Sequence, residues 1–467
     1  MTYVKEEIVE QSKTWPQYVT VLTALFAMFN SGLHFGWPSP SIPKILSDEY
    51  ALNITGEEAS YITIIGPAGD IIGSILYPGI VDVIGRKYTI ILIAIPQIVS
   101  MLMIYLAEYS IILLYSARFI GGMAEAACFT ILPLYIGEVA EPKVRGVLGS
   151  YFSLILILGI LTVNISGSYL SVETCALIFT ILPIIFIIAF LQMPESPYYL
   201  IMKERFEDAK KSLRYLRRKN NVEEEFLQLK DDVHRQMSEP GTYLDLFRIK
   251  SNRLSCVVMF GLRIIQQFSG ITAFTMYMQT LFEQSTDVIS VDFGSSLIFC
   301  LQVVATFVGS LIVDRVGRKP LLTWSCGGCF TVLVTQATYF LLLKHTTIDL
   351  ENFKYLPLTG MIVFIIFFAI GLGHVVNLMV GEMFSSSIKA KASCLMNLIF
   401  AVTMLSSAKF FQYTLDAKLG LAVPFYVYAF CQLLGTIFCI IIVPETTGKS
   451  LEQIQQELKG KKSKLES

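Results

Sequence analysis

Charge is scarce in this chain. Only 16% of its 467 residues are Asp, Glu, Lys or Arg, and 54% are hydrophobic. A soluble domain carries roughly a quarter charged residues, and so much apolar side chain cannot be buried in one aqueous core. Lipid is therefore the expected solvent for much of it. The net charge of −1 gives no reason to expect nucleic acid as a partner. The nine cysteines lie within or at the ends of apolar runs, which argues against a disulfide framework; no His or acidic residues accompany them as zinc ligands. "CGGC", Cys326 to Cys329, reads as packed thiols. "TGKS" near the end is no phosphate loop, because the first glycine of that motif would fall at Val443. With no triad, metal cluster or phosphate loop, neither an enzyme nor a bound cofactor is expected. No cleavable leader is expected either: the first fifteen residues are polar, and the apolar run after them is long enough to span.

What the chain does have is twelve apolar stretches near the ~20 residues a spanning helix needs. They fall at about 16–42, 59–81, 88–107, 110–136, 147–170, 173–193, 254–281, 293–313, 320–343, 357–381, 392–415 and 421–443. Lys and Arg set the orientation. With the N-terminus inside, inner segments hold 29 of them, outer loops four (Lys44, Lys344, Lys354, Lys418), and the spans three (Arg118, Arg263, Lys409). Inner residues run from Lys5 and Lys13 through the polar stretch 194–253 to the tail. That stretch has mixed signs at helical spacing and predicts a few helices on the cytosolic face. "NIT" at Asn53 then falls outside, where it can be glycosylated; Asn164-Ile-Ser lies within a span and reads as a chance match.

The first six spans are echoed by the last six. "VDVIGRK" (Val81 to Lys87) returns as "VDRVGRK" (Val313 to Lys319), 232 positions on, each read as an inner loop turned by Gly85 or Gly317. Glu138, followed by Arg145, is matched by Glu382, followed by Lys389, at an offset of 244. "PESP" from Pro194 is matched by "PETTG" from Pro444, at 250. Such duplication in one orientation is a repeat scheme of secondary transporters. It divides the chain into a first half (1–193), a cytosolic helical segment (194–253), a second half (254–443) and a short tail (444–467).

Together with "LPLYIGEVAEPKVRG", "QQFSGI", "GEMF" and "VPETTGKSLEQI", these motifs resemble the sugar porter family of the major facilitator superfamily, which includes glucose, xylose and insect trehalose facilitators. The resemblance covers essentially the whole chain. It implies an all-α integral membrane protein, with twelve transmembrane helices in two six-helix halves. It also implies a gating charge network, tying helices together when the cytosolic side is shut, of Asp82, Arg86, Glu138, Arg145 and Glu195, and of Asp314, Arg318, Glu382, Lys389 and Glu445. Arg86 should meet Glu138 and Glu195, with Arg145 crossing between helices; Arg318 should meet Glu382 and Glu445. Lys389 stands where the family usually has Arg, and Tyr198 likewise.

Span seven is expected to line the solute path. Gln266, Gly270, Ala273 and Tyr277 share one helical face, and adjacent glutamines suit a wet cavity where amides meet sugar hydroxyls. The family's site contains this Gln pair. Its next contact is Thr272 here, Ser153 stands where span five often has Gln, and Gln302 replaces an Asn. Asn377 replaces the Trp on which a sugar would stack. Asp70, Arg118, Glu125 and Arg263 place charge inside spans, where pairing or water is expected because a lone ion costs at least about 2.5–3.5 kcal/mol. Of these only Arg118 matches the family. Glu125 is expected to stay ionised beside Arg118 or Arg263. The Asp of proton-coupled members is Pro38 here, which favours facilitation. His34 and His374 read as hydrogen-bonded structural residues, and Lys409 as snorkelling near an outer end.

The expectation is a monomeric plasma-membrane protein with both termini cytosolic. It would carry a hexose or disaccharide by facilitated uniport through alternating access, with lipid and solute as its partners. A carrier of another small polar solute, with proton coupling as one form of it, stands second; a sensor that binds sugar without transporting it stands third.

Overall fold

The computed structural model describes residues 12–48, 50–238, 242–285, 289–345, 353–384, 386–417, 419–449 and 453–454. Lys5, Lys418 and most of the tail lie outside them. Among the described residues twelve helices are long and apolar enough to cross a membrane. They are Trp15–Ile45, Gly56–Ile84, Arg86–Tyr105, Ile111–Val139, Pro142–Tyr169, Val172–Phe190, Lys250–Met276, Val291–Val316, Arg318–Lys344, Leu356–Met383, Lys391–Leu415 and Ala422–Ile441. The described residues hold no strand. The fifth span starts at Pro142 rather than 147, since proline suits the first helical turn.

The repeated motif is not a loop. Asp82 is still helical, the chain turns through Gly85 alone (φ +96°), and Arg86 already opens the third span. Gly317 (φ +102°) joins the eighth and ninth spans in the same way. Only glycine takes such a φ without strain, so one residue suffices where the sequence suggested several.

Three spans are broken. The first runs Trp15–Gly36 and restarts at Pro38, whose missing N–H suits a helix start. The seventh runs Lys250–Gln266, unwinds at Phe268 and Gly270 (φ +91°), and resumes as Thr272–Met276 and then Met278–Ser285. The tenth stops at Ile370 and restarts at Val375. Broken helices with backbone turned toward a cavity are how transporter folds build sites inside a membrane.

Each half has its own apolar core, centred on Leu25, Ile93 and Tyr135 in the first and on Phe274, Phe364 and Phe425 in the second. Ile75, Ile188, Leu311 and Ile441 stay exposed on the outside, an apolar belt for lipid. Between the halves the second span packs on the eleventh and the fifth on the eighth. Phe129 meets Phe400 at 5.4 Å, and Asn397 donates to Thr130 Oγ1 at 3.2 Å. The polar segment forms helices Pro197–Met202, Phe206–Arg217, Glu223–Ser238 and Asp245–Arg248. Arg217 pins it to the first half, pairing with Glu141 at 3.1 Å and donating to the Val139 carbonyl at 3.0 Å. All nine cysteines are free thiols.

Candidate functional site

At the lysine- and arginine-rich end, each half holds the same charge cluster. Arg86 reaches Glu138 through Nε and Nη2 at 3.0 Å and Asp82 at 3.4 Å. The rings of Tyr198 and Tyr199 stand 5.8 and 5.2 Å from its guanidinium. Ser196 also donates to Glu138. In the second half Arg318 pairs with Glu382 and with Asp314, both at 2.8 Å, and Thr446 donates to Glu382 at 2.6 Å. Ser196 and Thr446 were overlooked in the sequence. The signal was there, because both follow the Glu of the repeated "PES" and "PET".

Glu195 and Glu445 correct the expected pattern. Neither forms an ion pair with its arginine. Glu195 accepts from the backbone N–H of Lys87 at 3.0 Å, and Glu445 from those of Arg318 at 3.0 Å and Lys319 at 3.1 Å. A single-glycine turn leaves the first N–H groups of the next helix without carbonyls, and a carboxylate at that positive end satisfies them. Burial pushes the Glu195 carboxyl above its ordinary range despite the N–H groups of Ser196 and Lys87 and the charge of Arg86. For Glu445 burial also acts upward, but hydrogen bonds from Thr447, Arg318 and Lys319 outweigh it and leave the carboxyl lowered.

Arg145 and Lys389 stand apart from these ion pairs. Among the described residues neither has a carboxylate within ion-pair distance. Arg145, on the fifth span, donates to the carbonyl of Ala140 at the end of the fourth at 3.1 Å and so crosses between helices, while Glu138 is taken by Arg86 and Ser196. Every ion pair of the network thus stays within one half.

The residues expected on the solute path divide into groups around the broken seventh span. Gln266 donates to the carbonyl of Leu372, at the break in the tenth span, at 2.7 Å. Its Oε1, together with Oδ1 of Asn377, accepts from Nη1 of Arg263, both at 2.9 Å. Gln267 accepts from the Thr272 hydroxyl at 2.5 Å, and its backbone carbonyl accepts from Ser407 at 3.0 Å. Tyr277 leaves this group and shares a hydrogen bond with Thr63 in the other half at 2.7 Å. Ser153 and Gln302 are buried on the fifth and eighth spans but make no hydrogen bond to the others.

The charges inside the spans do not pair as expected. Arg118 donates to the carbonyls of His34 at 2.6 Å and Ile62 at 3.3 Å and lies 5.6 Å from the Trp37 ring. Among the described residues no carboxylate is within ion-pair distance of Arg118 or Arg263. Both carboxylate oxygens of Asp70 and Oε1 of Glu125 are buried without a hydrogen bond. Seven residues of helix separate Arg118 from Glu125 by about 10 Å along the axis, too far for contact unless both side chains lean inward. Backbone carbonyls took the guanidinium instead. His34 contacts Ser100 at 3.4 Å, whereas both ring nitrogens of His374 are buried without a partner, contrary to its expected structural bonding. Lys409 lies 5.1 Å from the Tyr61 ring near a helix end, as snorkelling requires. Asn164 is fully buried in the fifth span, out of reach of a glycosylating enzyme.

At the charge-poor end the two halves meet. Besides Thr63 and Tyr277, Gln279 donates to Ser168 at 3.0 Å, and Ile42, Ala59 and Ile160 of the first half pack into the core of the second. Nothing in the sequence singled out Thr63 or Ser168, because hydroxyls in membrane helices commonly bond their own backbone.

A family model described as sugar (and other) transporter matches residues 10–458. The facilitated trehalose transporter Tret1 of Bombyx mori is 30% identical over 445 residues, covering 95% of this chain and 87% of that one. Its Polypedilum vanderplanki counterpart is 30% identical over 459, covering 96% and 90%. The Anopheles gambiae protein is 29% identical, and the match spans 97% of this chain but 57% of that longer one. Among solved structures, the major facilitator proton:xylose symporter XylE bound to 6-bromo-6-deoxy-D-glucose aligns with a TM-score of 0.77 at 20% identity, covering 95% and 99%. The inward-open E. coli form of XylE aligns at 0.75 and 20%, covering 94% and 99%. These structures share the fold, two six-helix halves of the major facilitator type, and the matched motifs run from end to end: the chain belongs to the sugar (and other) transporter family.

Proposed function

We propose that the protein is a facilitative carrier of a hexose or disaccharide, without a cofactor and without enzymatic activity, that works by alternating access. It would sit in the plasma membrane as a monomer with both termini cytosolic, its boundaries near 193, 253 and 443. The observation that carries this reading is the build of the seventh span. Its unwound stretch begins at Gln267, which bonds Thr272 where the helix resumes; further along, Tyr277, between the two short helices, and Gln279, in the second, hold the charge-poor end shut. A solute drawing on the first pair is mechanically linked to the second. Two neutral hydrogen bonds, each contributing about 0.5–1.5 kcal/mol, close a gate that thermal motion can open.

The charge clusters are read as stiffeners that let each half rock as one body, since their ion pairs stay within a half. Asn53 is exposed just ahead of the helix capped by Thr55, accessible for glycosylation if that end is extracellular. The relatives named facilitated trehalose transporters support a sugar as solute. Carriage of another polar solute with proton coupling draws support from the carboxylate of Asp70 and from Oε1 of Glu125, which are buried with no hydrogen bond among the described residues.

Replacing Gln267 with alanine is expected to raise the KM for uptake into proteoliposomes at least several-fold, with protein level unchanged. Losing one hydrogen bond to a buried hydroxyl costs about 1–3 kcal/mol. An unchanged KM for a transported sugar would remove the seventh span from the solute path.

A further inference from the structure

Arg263 is the least explained charge in the molecule. It lies 13 residues into a helix that starts at Lys250, so its Cα stands about 20 Å along the axis from that end. The side chain is buried, and among the described residues no carboxylate is within ion-pair distance. A guanidinium so placed is not a membrane anchor: it is too deep, and its head turns inward onto Gln266, Asn377 and Phe400, whose ring is 5.1 Å away.

How the guanidinium is held shows what it can take. Nη1 is fixed between two amide oxygens, those of Gln266 and Asn377. Among the described residues Nε is buried with no partner, and both hydrogen bonds of the guanidinium come from Nη1, none from Nη2. The Nε–Nη2 edge is the one on which a carboxylate or phosphate docks with two parallel bonds. Held at one side and open at the other, the fork is oriented in advance. Meanwhile the two amide oxygens that a neutral sugar's hydroxyls would use are already committed to a cation, and a neutral solute would have to compete with a charge-assisted bond for each.

The acids of the first half do not neutralise this cation. Asp70 lines a small cleft with Ser74, Phe129, Asn397 and Phe400. Phe400 borders both that cleft and the guanidinium, and no ion pair joins the two. At the charge-rich end Arg145 and Lys389 also have no carboxylate within ion-pair distance among the described residues.

We infer that the solute is an anionic sugar, a polyhydroxylated molecule whose carboxylate or phosphate docks on the Nε–Nη2 edge of Arg263 beside Gln266 and Asn377. This rests on the carrier reading above and names the class of its solute. The anion supplies the counter-charge that the protein withholds, so binding removes the cost of a bare buried cation.

The test is uptake into proteoliposomes of three labelled solutes with one skeleton: D-glucose, D-glucuronate and D-glucose 6-phosphate. The wild type should take up one of the anions with a KM at least tenfold below that for glucose, and the better anion tells carboxylate from phosphate. Arg263→Gln should raise that KM at least thirtyfold and narrow the gap to glucose, while Arg263→Lys, which keeps the charge but not the fork, should fall between. Preferred uptake of glucose by the wild type, or an anion KM untouched in Arg263→Gln, would overturn the inference and leave the carrier reading standing. Recovery of uptake in the double variant Asp70→Asn with Arg263→Gln would also overturn it, by showing that the two charges serve each other. No saturable uptake of any of the three would overturn the inference, and the carrier reading would fall with it only if trehalose also showed no saturable uptake. Should Arg263→Gln fail to reach the membrane, the wild-type preference decides the matter alone.

Discussion

Gly122→Val is expected to strip the protein from the membrane fraction as a folded species. A Cβ at Gly122 would sit 2.0 Å from the carbonyl oxygen of Gly66 and 3.2 Å from the backbone nitrogen of Asp70. Both obstacles are backbone, so no rotamer change relieves the clash. The crossing is close over several turns: a Cβ at Gly69 would lie 2.1 Å from the Phe119 oxygen, and one at Gly73 2.6 Å from that of Met123. In lipid, helices gain nothing from the hydrophobic effect on meeting, and contact between small residues is what holds them. Overpacking such a contact costs about 1–3 kcal/mol or more, and here it would also displace Arg118 and Asp70, which flank the crossing. Gly137→Ala is the control, because a Cβ there meets nothing within 4 Å. Size-exclusion chromatography in detergent should show aggregated or absent Gly122→Val and a normal peak for Gly137→Ala. A normal peak for both would mean that the second and fourth spans do not cross in this way.

The second large effect separates the two charge clusters. The side chains of Arg86 and Glu138 are 4% and 8% exposed, whereas those of Arg318 and Glu382 are 10% and 28% exposed. Breaking a buried pair from one side strands a charge and costs about 3–5 kcal/mol. Glu138→Ala strands Arg86, whose remaining acidic contact, Asp82, is distant at 3.4 Å and largely in solvent. Glu382→Ala leaves Arg318 with Asp314 at 2.8 Å and the Thr447 hydroxyl at 3.2 Å, so its loss should stay near the ~1 kcal/mol of an exposed pair. Thermal melting in detergent should therefore drop much further for Glu138→Ala. Equal drops, or the reverse order, would show that burial does not set the worth of these pairs.

Both halves were legible because the repeat is carried by residues whose physics is local. Gly85 and Gly317 mark a turn wherever they stand, and the apolar lengths between them count the spans. The pairing of Arg86 with Glu138 and of Arg318 with Glu382 was equally open to view, once the resemblance placed them at facing helix ends. The roles of Glu195 and Glu445 were not, since the need for a cap arises only because the turn is a single residue. The path residues fared less evenly. Gln266 was placed beside Asn377, but the cation that binds both is Arg263, a residue read as one of a charge pair. Helical spacing relates Arg118 to Glu125 along one span. It carries no information about His34 and Ile62, whose carbonyls on two other helices hold the guanidinium. Thr63 and Tyr277 meet only because two halves close, and contacts between bodies leave no periodic trace in either.

The measurement closest to the central claim is counterflow. Proteoliposomes holding the purified protein would be loaded with an unlabelled solute and diluted into a trace of the same solute labelled, for glucose, trehalose, glucuronate and glucose 6-phosphate in turn. A carrier that exposes one site alternately to either side predicts a transient overshoot of label above equilibrium for at least one of these, unchanged by a pH gradient across the membrane. Label that never exceeds equilibrium for any of them, or an overshoot that appears only with an inward proton gradient, would contradict a facilitative carrier of sugars.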